Sequence, residues 1–359
     1  MARQLLFMKA INEALDQAMA KDDTVILLGE DIAGGVTVKH LEEENEDAWG
    51  GVMGVTKGLM PKYGRERVID TPISEHGYVS ASVGMALTGL RPVPELMFND
   101  FIGFCFDAIL GQGSKMRYMF GGKAKVPMTM RTMHGAGASA AAQHSGSYYG
   151  LFGSIPGIKV VVPATPYDAK GLLLASIEDD NIVIYSEDKT LYGIKGEVPE
   201  EYYTVPIGKA AVRREGTDLT IVTIGKMLYV AYEVADRLEK DGISVEVIDL
   251  RTVAPWDEET VFESVKKTGR LIIVDESNPH NNTATDIASV VTDKCFDYLD
   301  GPVKCVCAPN VPVPFAVNLE QLYIPNADKV LTVAAELINA TGPGLGSNID
   351  PCICIDGRA

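Results

Sequence analysis

The chain has 359 residues, 46% of them hydrophobic and 23% charged, enough apolar material for two cores of ordinary size. Its 49 acidic residues against 32 basic ones give a formal charge of −17 and a pI near 4.7. Such a surface repels nucleic acid and anionic membranes, so neither is expected as a partner; it suits plain solubility or a basic protein partner.

In chain order, Ala10, Ile11, Ala14, Leu15 and Ala18 recur at helical spacing and predict an amphipathic helix over 4–21. Only four apolar residues run together before Lys9, too few for a signal-peptide core, so a cytoplasmic chain is expected. Short apolar runs predict strands over 24–28, 67–69, 93–98, 126–132, 159–162 and 182–186. Helices are predicted between them, over 78–87, 104–119 and 166–177. Ser80, Ala81, Gly84 and Ala86 on the second are small enough to let another backbone approach. The stretch 132–158 lacks Lys, Arg, Asp and Glu, but Gly, Ser, Ala and Pro156 fill it, so it does not read as a membrane span.

Over 191–206, "LYGIKGEVPEEYYTVP" loses periodicity and gains Pro, Gly and Glu, as a linker does. A second alternating unit follows. "TDLTIVTIG", "ISVEVIDL" and "RLIIVDE" read as strands, "KMLYVAYEVADRLEKDG" as a helix closed by Gly242, and "NADKVLTVAAELINA" as the last helix. The expected fold class is therefore α/β in two domains, 1–190 and 207–340, each built on a largely parallel sheet, with a mobile tail over 341–359. The tail's "GPGLG" lacks the preceding strand and following helix of a dinucleotide loop. Of six cysteines, Cys305 and Cys307 fall two apart in a predicted strand, which puts them on one face; with no histidine or CxxC nearby, a metal is not expected there.

No Walker loop, HExxH, GxSxG or CxxC pair occurs. Three features remain: Glu30 in "LLGED", Glu75 in "DTPISEHG", and His144 in "AAAQHSGSYYG". All three fall at strand ends or adjoining loops, where open parallel sheets form binding crevices. Each also has a plain reading. Glu75 could favour a helix N-terminus, by about 0.3–1 kcal/mol; Glu30 could cap the next segment; His144 could be a hydrogen-bonded loop histidine.

Taken together and in order, "GED", "GVTKGL", "RVIDTPISEHG", "GLRPVPELMFNDF", "YMFGGKAKVPMTMRT", "AAQHS", "DAKGLL" and "PVPFA" resemble the β subunit of thiamine-diphosphate-dependent 2-oxoacid dehydrogenase E1 components, in the transketolase-like group. The match runs from about residue 4 to 340. Within the group, "EDAWGGVMGVTKGL" and "DESNPHNNTATDIASVV" look most like acetoin dehydrogenase β subunits. The resemblance implies a pyrimidine-binding domain followed by a transketolase C-terminal-like domain.

It also implies residue roles. Glu75 bonds N1′ of the cofactor's aminopyrimidine and favours the imino tautomer that takes the thiazolium proton. Phe101 stacks on that ring, Glu30 organises the pocket, and His144 is an acid–base group near the reacting carbon. Asp179 and Asn181 match a structural potassium loop of some relatives. The family's diphosphate-and-magnesium motif begins Gly-Asp-Gly, which this chain lacks. An α subunit is thus expected to hold Mg2+ and the diphosphate in an α2β2 heterotetramer that passes an acetyl group to a lipoyl-bearing E2 acyltransferase. The reading competes with a pyruvate dehydrogenase E1 β subunit, a silent scaffold that docks E2, and a nucleotide-binding oxidoreductase.

Overall fold

Helix α1 (Phe7–Lys21) buries Phe7, Ala10, Ile11, Ala14, Leu15, Ala18 and Met19, one face at helical spacing. Before it, Gln4–Leu6 is a strand, β1, rather than the helix start expected; it pairs antiparallel with β8 (Lys195–Glu197). The computed structural model describes residues 3–34 and 50–341 and divides into two units, 1–135 with 143–207, and 136–142 with 208–359. The segment expected as a linker thus contributes a strand to the first unit. Apart from Thr341, the expected tail lies outside the described residues, as do Cys352 and Cys354.

The first unit's sheet contains β2 (Val25–Gly29), β3 (Val68–Asp70), β4 (Arg91–Phe98), β5 (Thr129–His134), β6 (Lys159–Val161) and β7 (Val183–Asp188), in the order β6-β7-β5-β4-β2-β3. Every pairing among these six is parallel. Strands β2 and β7 are buried along their whole length, as strands covered on both faces are. Between the strands lie α2 (Leu59–Tyr63), α3 (Glu75–Leu87), α4 (Ile102–Asp107), α5 (Ser114–Met119), α6 (Tyr149–Gly153) and α7 (Pro166–Glu178). Thr165 caps α7 by accepting from the Asp168 N–H, and Pro166 sits at its first position.

Helix α3 begins at Glu75, not Tyr78. It buries Tyr78, Val79, Ser82, Val83 and Ala86 and leaves Gly77, Ala81 and Gly84 exposed. The helix expected over 104–119 is interrupted: a π-helical segment, Ala108–Gly113, separates α4 from α5. At Gly113 an added Cβ would lie 2.1 Å from Ile182 Cδ1, so a larger residue there would have to push the Ile182 side chain aside.

The second unit contains β9 (Ala211–Arg214), β10 (Leu219–Thr223), α8 (Met227–Glu239), β11 (Val245–Asp249), β12 (Thr252–Ala254), α9 (Glu258–Thr268), β13 (Leu271–Asp275), α10 (Thr283–Lys294), β14 (Lys304–Cys307), α11 (Val317–Tyr323) and α12 (Ala327–Thr341). Its sheet runs β14-β13-β10-β11-β9, parallel except for β9. Burial pushes the thiols of Cys305 and Cys307 up, to about 11 and about 12. Cys307 accepts a bond from Asn282 Nδ2 at 3.3 Å. Among the described residues no helix is long and apolar enough to cross a membrane.

Candidate active site

Because the six strands of the first unit are parallel, the residues that follow them collect along one edge of the sheet. Glu30 follows β2. Glu75 opens the helix after β3. Asn99–Phe101 is a 3-10 turn directly after β4, and Lys189 opens another after β7. His144 closes a 3-10 turn, Ala142–His144, in the loop after β5. All four cofactor-site residues expected from the sequence thus sit at this edge.

Glu75 is 7% exposed. An acid at a helix start gains about 0.3–1 kcal/mol from the helix dipole, while burying a carboxylate costs several kcal/mol. The helix start alone therefore does not account for the position. Burial and then the charge of Glu75 push the Cys105 thiol up to about 12. Burial, followed by Glu30 and Glu75, raises the Tyr78 hydroxyl, which donates to the Glu95 carbonyl at 3.1 Å. Glu30 is half-buried, and its Oε1 is shielded from solvent without a hydrogen-bond partner. Burial first, then the carboxylates of Glu75, Asp31 and Glu95, raise its pKa.

Beside this acidic group stands an aromatic one. The His144 imidazole meets Phe98 edge-on at 4.7 Å and 69°, and Phe101 at 5.6 Å and 76°; the two phenyl rings meet each other at 5.7 Å and 89°. Lys189 Nζ donates to the His144 carbonyl at 2.8 Å and also to the Gly135 carbonyl. The Gly146 N–H faces both oxygens of Asp100, at 3.3 and 3.2 Å. Burial raises the Asp100 pKa, opposed by that N–H, by its own, and by Lys189 and His144.

Sequence reasoning missed Asp100 and Lys189. Their only signal was a charge placed directly after an apolar strand, in "LMFND" and "IYSEDK". It also missed the buried network below them. Arg131 binds Glu187 through two bonds of 2.7 and 2.9 Å and Glu95 through one of 2.6 Å, and Tyr192 donates to Glu187 at 2.5 Å.

The segment expected as a potassium loop, with Asp179 and Asn181, lies apart from this edge, before β7. Asp179 Oδ1 accepts from the backbone and side-chain nitrogens of Asn181, at 2.9 and 2.8 Å, and Oδ2 pairs with Lys159. Asn181 Oδ1 accepts from Arg117 at 3.1 Å. Arg91 takes the carbonyls of Ile177 and Asp179, at 2.9 and 3.0 Å. Arg91, Arg117 and Lys159 thus each bond an oxygen of this segment.

Comparison with known proteins agrees with the fold described above. Residues 3–195 match the model of the transketolase pyrimidine binding domain, and residues 208–330 that of the transketolase C-terminal domain. The acetoin:2,6-dichlorophenolindophenol oxidoreductase subunit beta of Bacillus subtilis (strain 168) is 58% identical over 94% of this chain and 98% of its own. The chain belongs to the β-subunit family of acetoin and 2-oxoacid dehydrogenases. Its other relatives in this family include the Cupriavidus necator subunit of the same description, 53% identical over 93% of this chain and 97% of its own. They also include the pyruvate dehydrogenase E1 component subunit beta of Rickettsia felis, 42% identical over 91% and 96%. A solved split-gene transketolase, an inactive β4 tetramer, shares the fold at TM-score 0.74 and 21% identity, covering 94% of this chain and 99% of that one.

Proposed function

We propose that this chain is the β subunit of an acetoin dehydrogenase E1 and holds the aminopyrimidine half of thiamine diphosphate. The observation that carries this reading is the buried carboxyl of Glu75 at the sheet edge, with the unpartnered Glu30 oxygen and the Phe101 ring in the same unit. Shielded carboxyl oxygens that meet no cation among the described residues suit a heteroaromatic ring that brings its own N–H groups. The residues present therefore fit the group.

When bound, thiamine diphosphate supplies a nucleophilic carbon that adds to a carbonyl and stores the electron pair released when the adjacent carbon–carbon bond breaks. Glu75 would hold a proton against a ring nitrogen of that group, and its low exposure would strengthen the bond. Glu30, whose pKa is raised by burial and by the neighbouring carboxylates, would hold a proton more readily than a free carboxyl. Phe101 orients the ring by stacking. His144 takes the carbinol proton of acetoin as acetaldehyde leaves. The acetyl group passes to a lipoyl disulfide on E2: acetoin plus disulfide gives acetaldehyde, an S-acetyl group and a thiol. An α subunit supplies the magnesium and diphosphate ligands, in an α2β2 heterotetramer.

Identity to the acetoin enzymes exceeds that to the pyruvate enzymes, 58% against 42%. The site also suits a neutral substrate, since Lys189 is committed to two carbonyls and Arg117 to Asn181. The test is kcat/KM for acetoin and for pyruvate, with the co-expressed αβ enzyme and an artificial electron acceptor. Acetoin is expected to be preferred; a clear preference for pyruvate overturns the substrate while leaving the family intact.

A further inference from the structure

The loop that carries His144 has no strand or long helix to hold its shape. Its stems meet where the Gly135 N–H donates to the Gly146 carbonyl at 3.3 Å. Two charged side chains from other strand ends grip the same place. Lys189, 8% exposed, donates to the carbonyls of Gly135 and His144. Asp100 accepts from the Gly146 N–H. The His144 carbonyl and the Gly146 N–H belong to the two peptide groups that flank Ser145, itself buried. Holding both fixes the backbone of Ser145 and hence the direction in which His144 leaves the chain. The signs match the dipoles: the cation meets a carbonyl oxygen, the anion an N–H.

We propose that Lys189 and Asp100 are positioning residues, an opposite-charge clamp across Ser145 that sets the place of the His144 imidazole. The inference rests on the acid–base role given to His144 above. The clamp acts in two ways. It holds the ring against Phe98 and Phe101, and it balances the field at the ring with one positive and one negative neighbour. Lys189 Nζ stands 5.8 Å from the centre of the Phe98 ring, on which His144 also packs. Other ionisable groups around this loop include Tyr148, which is raised by burial and by Asp100, and His134 at the end of β5, bonded to Ser186 at 2.8 Å. On the arm before His144, Glu276 accepts from the Ala136 N–H, Glu320 from the Gly137 and Ser139 N–H groups, and Lys226 donates to the Ala136 carbonyl.

The test uses the co-expressed αβ enzyme with ring-labelled histidine, the His144 resonance being assigned by its loss in His144→Gln. Lys189→Met removes the positive neighbour, so His144 should titrate at higher pH. Asp100→Asn keeps an oxygen for the Gly146 N–H but removes the charge, so His144 should titrate lower. Lys189→Arg should return the titration toward the parent. Turnover should fall about ten- to a hundredfold in Lys189→Met with little change in KM, the scale expected for a catalytic group displaced by about an ångström. The acid limb of the kcat profile should move in the direction of the His144 titration. A His144 titration unchanged in both variants, or shifted the same way in both, overturns the clamp; Asp100→Asn decides alone if Lys189→Met does not fold. Full turnover in His144→Gln would instead refute the acid–base role, and the titrations would still decide the clamp.

Discussion

Replacing Arg131 by Met tests whether the buried network under the site edge supports it. Arg131 is 3% exposed and Glu187 is fully buried. The substitution keeps much of the apolar stem and removes three charge-assisted bonds, two to Glu187 and one to Glu95. It leaves two carboxylates without their cation. Breaking one side of such a buried pair costs about 3–5 kcal/mol. For a unit of this size each kcal/mol moves a thermal midpoint by roughly 2–4 °C, so a fall on the order of 10 °C is expected. The pH dependence has a definite sign. Burial raises the Glu187 pKa, while Arg131 and Tyr192 hold it down. Without Arg131 the value climbs further. A carboxyl whose folded pKa exceeds its unfolded value contributes stability at low pH and loses it as pH rises through the folded pKa. The cost of Arg131→Met should therefore be smallest at acid pH and grow as pH rises through the raised Glu187 pKa. Thermal scans at matched protein and cofactor concentrations measure it, since a bound partner or ligand shifts the midpoint. Adding Glu187→Gln should restore part of the loss, because one uncompensated charge disappears. A midpoint within about 2 °C of the parent, against the ~10 °C expected, or a cost independent of pH, would refute this reasoning.

Glu75→Gln keeps the size of the side chain but removes its acid. Proton exchange at the thiazolium carbon of bound cofactor should slow about 10²- to 10⁴-fold, read by deuterium washout in the assembled enzyme, with assembly unchanged. Parent-like exchange would remove Glu75 from its assigned role. Gly146→Ala places a Cβ 2.3 Å from the Tyr148 ring and 2.8 Å from Asp100 Oδ1. Tyr148 is 40% exposed and has room to swing away, but the clamp oxygen has less. A stability loss of about 1–3 kcal/mol and lower turnover are expected from thermal scans and steady-state assays.

Much of the architecture was legible because it rests on periodicities local to each segment. The spacing from Ala10 to Ala18 predicted the buried face of α1, and the apolar runs predicted β2, β4 and β7 within a few residues. The parallel order follows from strands alternating with helices, and it sends Glu30, Glu75, Phe101 and His144 to one edge. Other features depend on partners distant in the chain. Gln4–Leu6 is too short to hold a strand by its own propensity and becomes one by pairing with Lys195–Glu197. The clamp joins Asp100, Gly146 and Lys189 from the ends of three different strands, a proximity that no local spacing encodes. At Asp179 and Asn181 the resemblance implied a potassium loop, and the bonds made by the oxygens there come from Arg91, Arg117 and Lys159, brought in from β4, α5 and β6. Local sequence thus determined which elements form and which chemical groups each presents, because backbone propensity and burial pattern act over a few residues. Tertiary structure alone decided which charges meet, because hydrogen bonds and ion pairs act over a few ångströms and the chain brings residues that close only once it has packed.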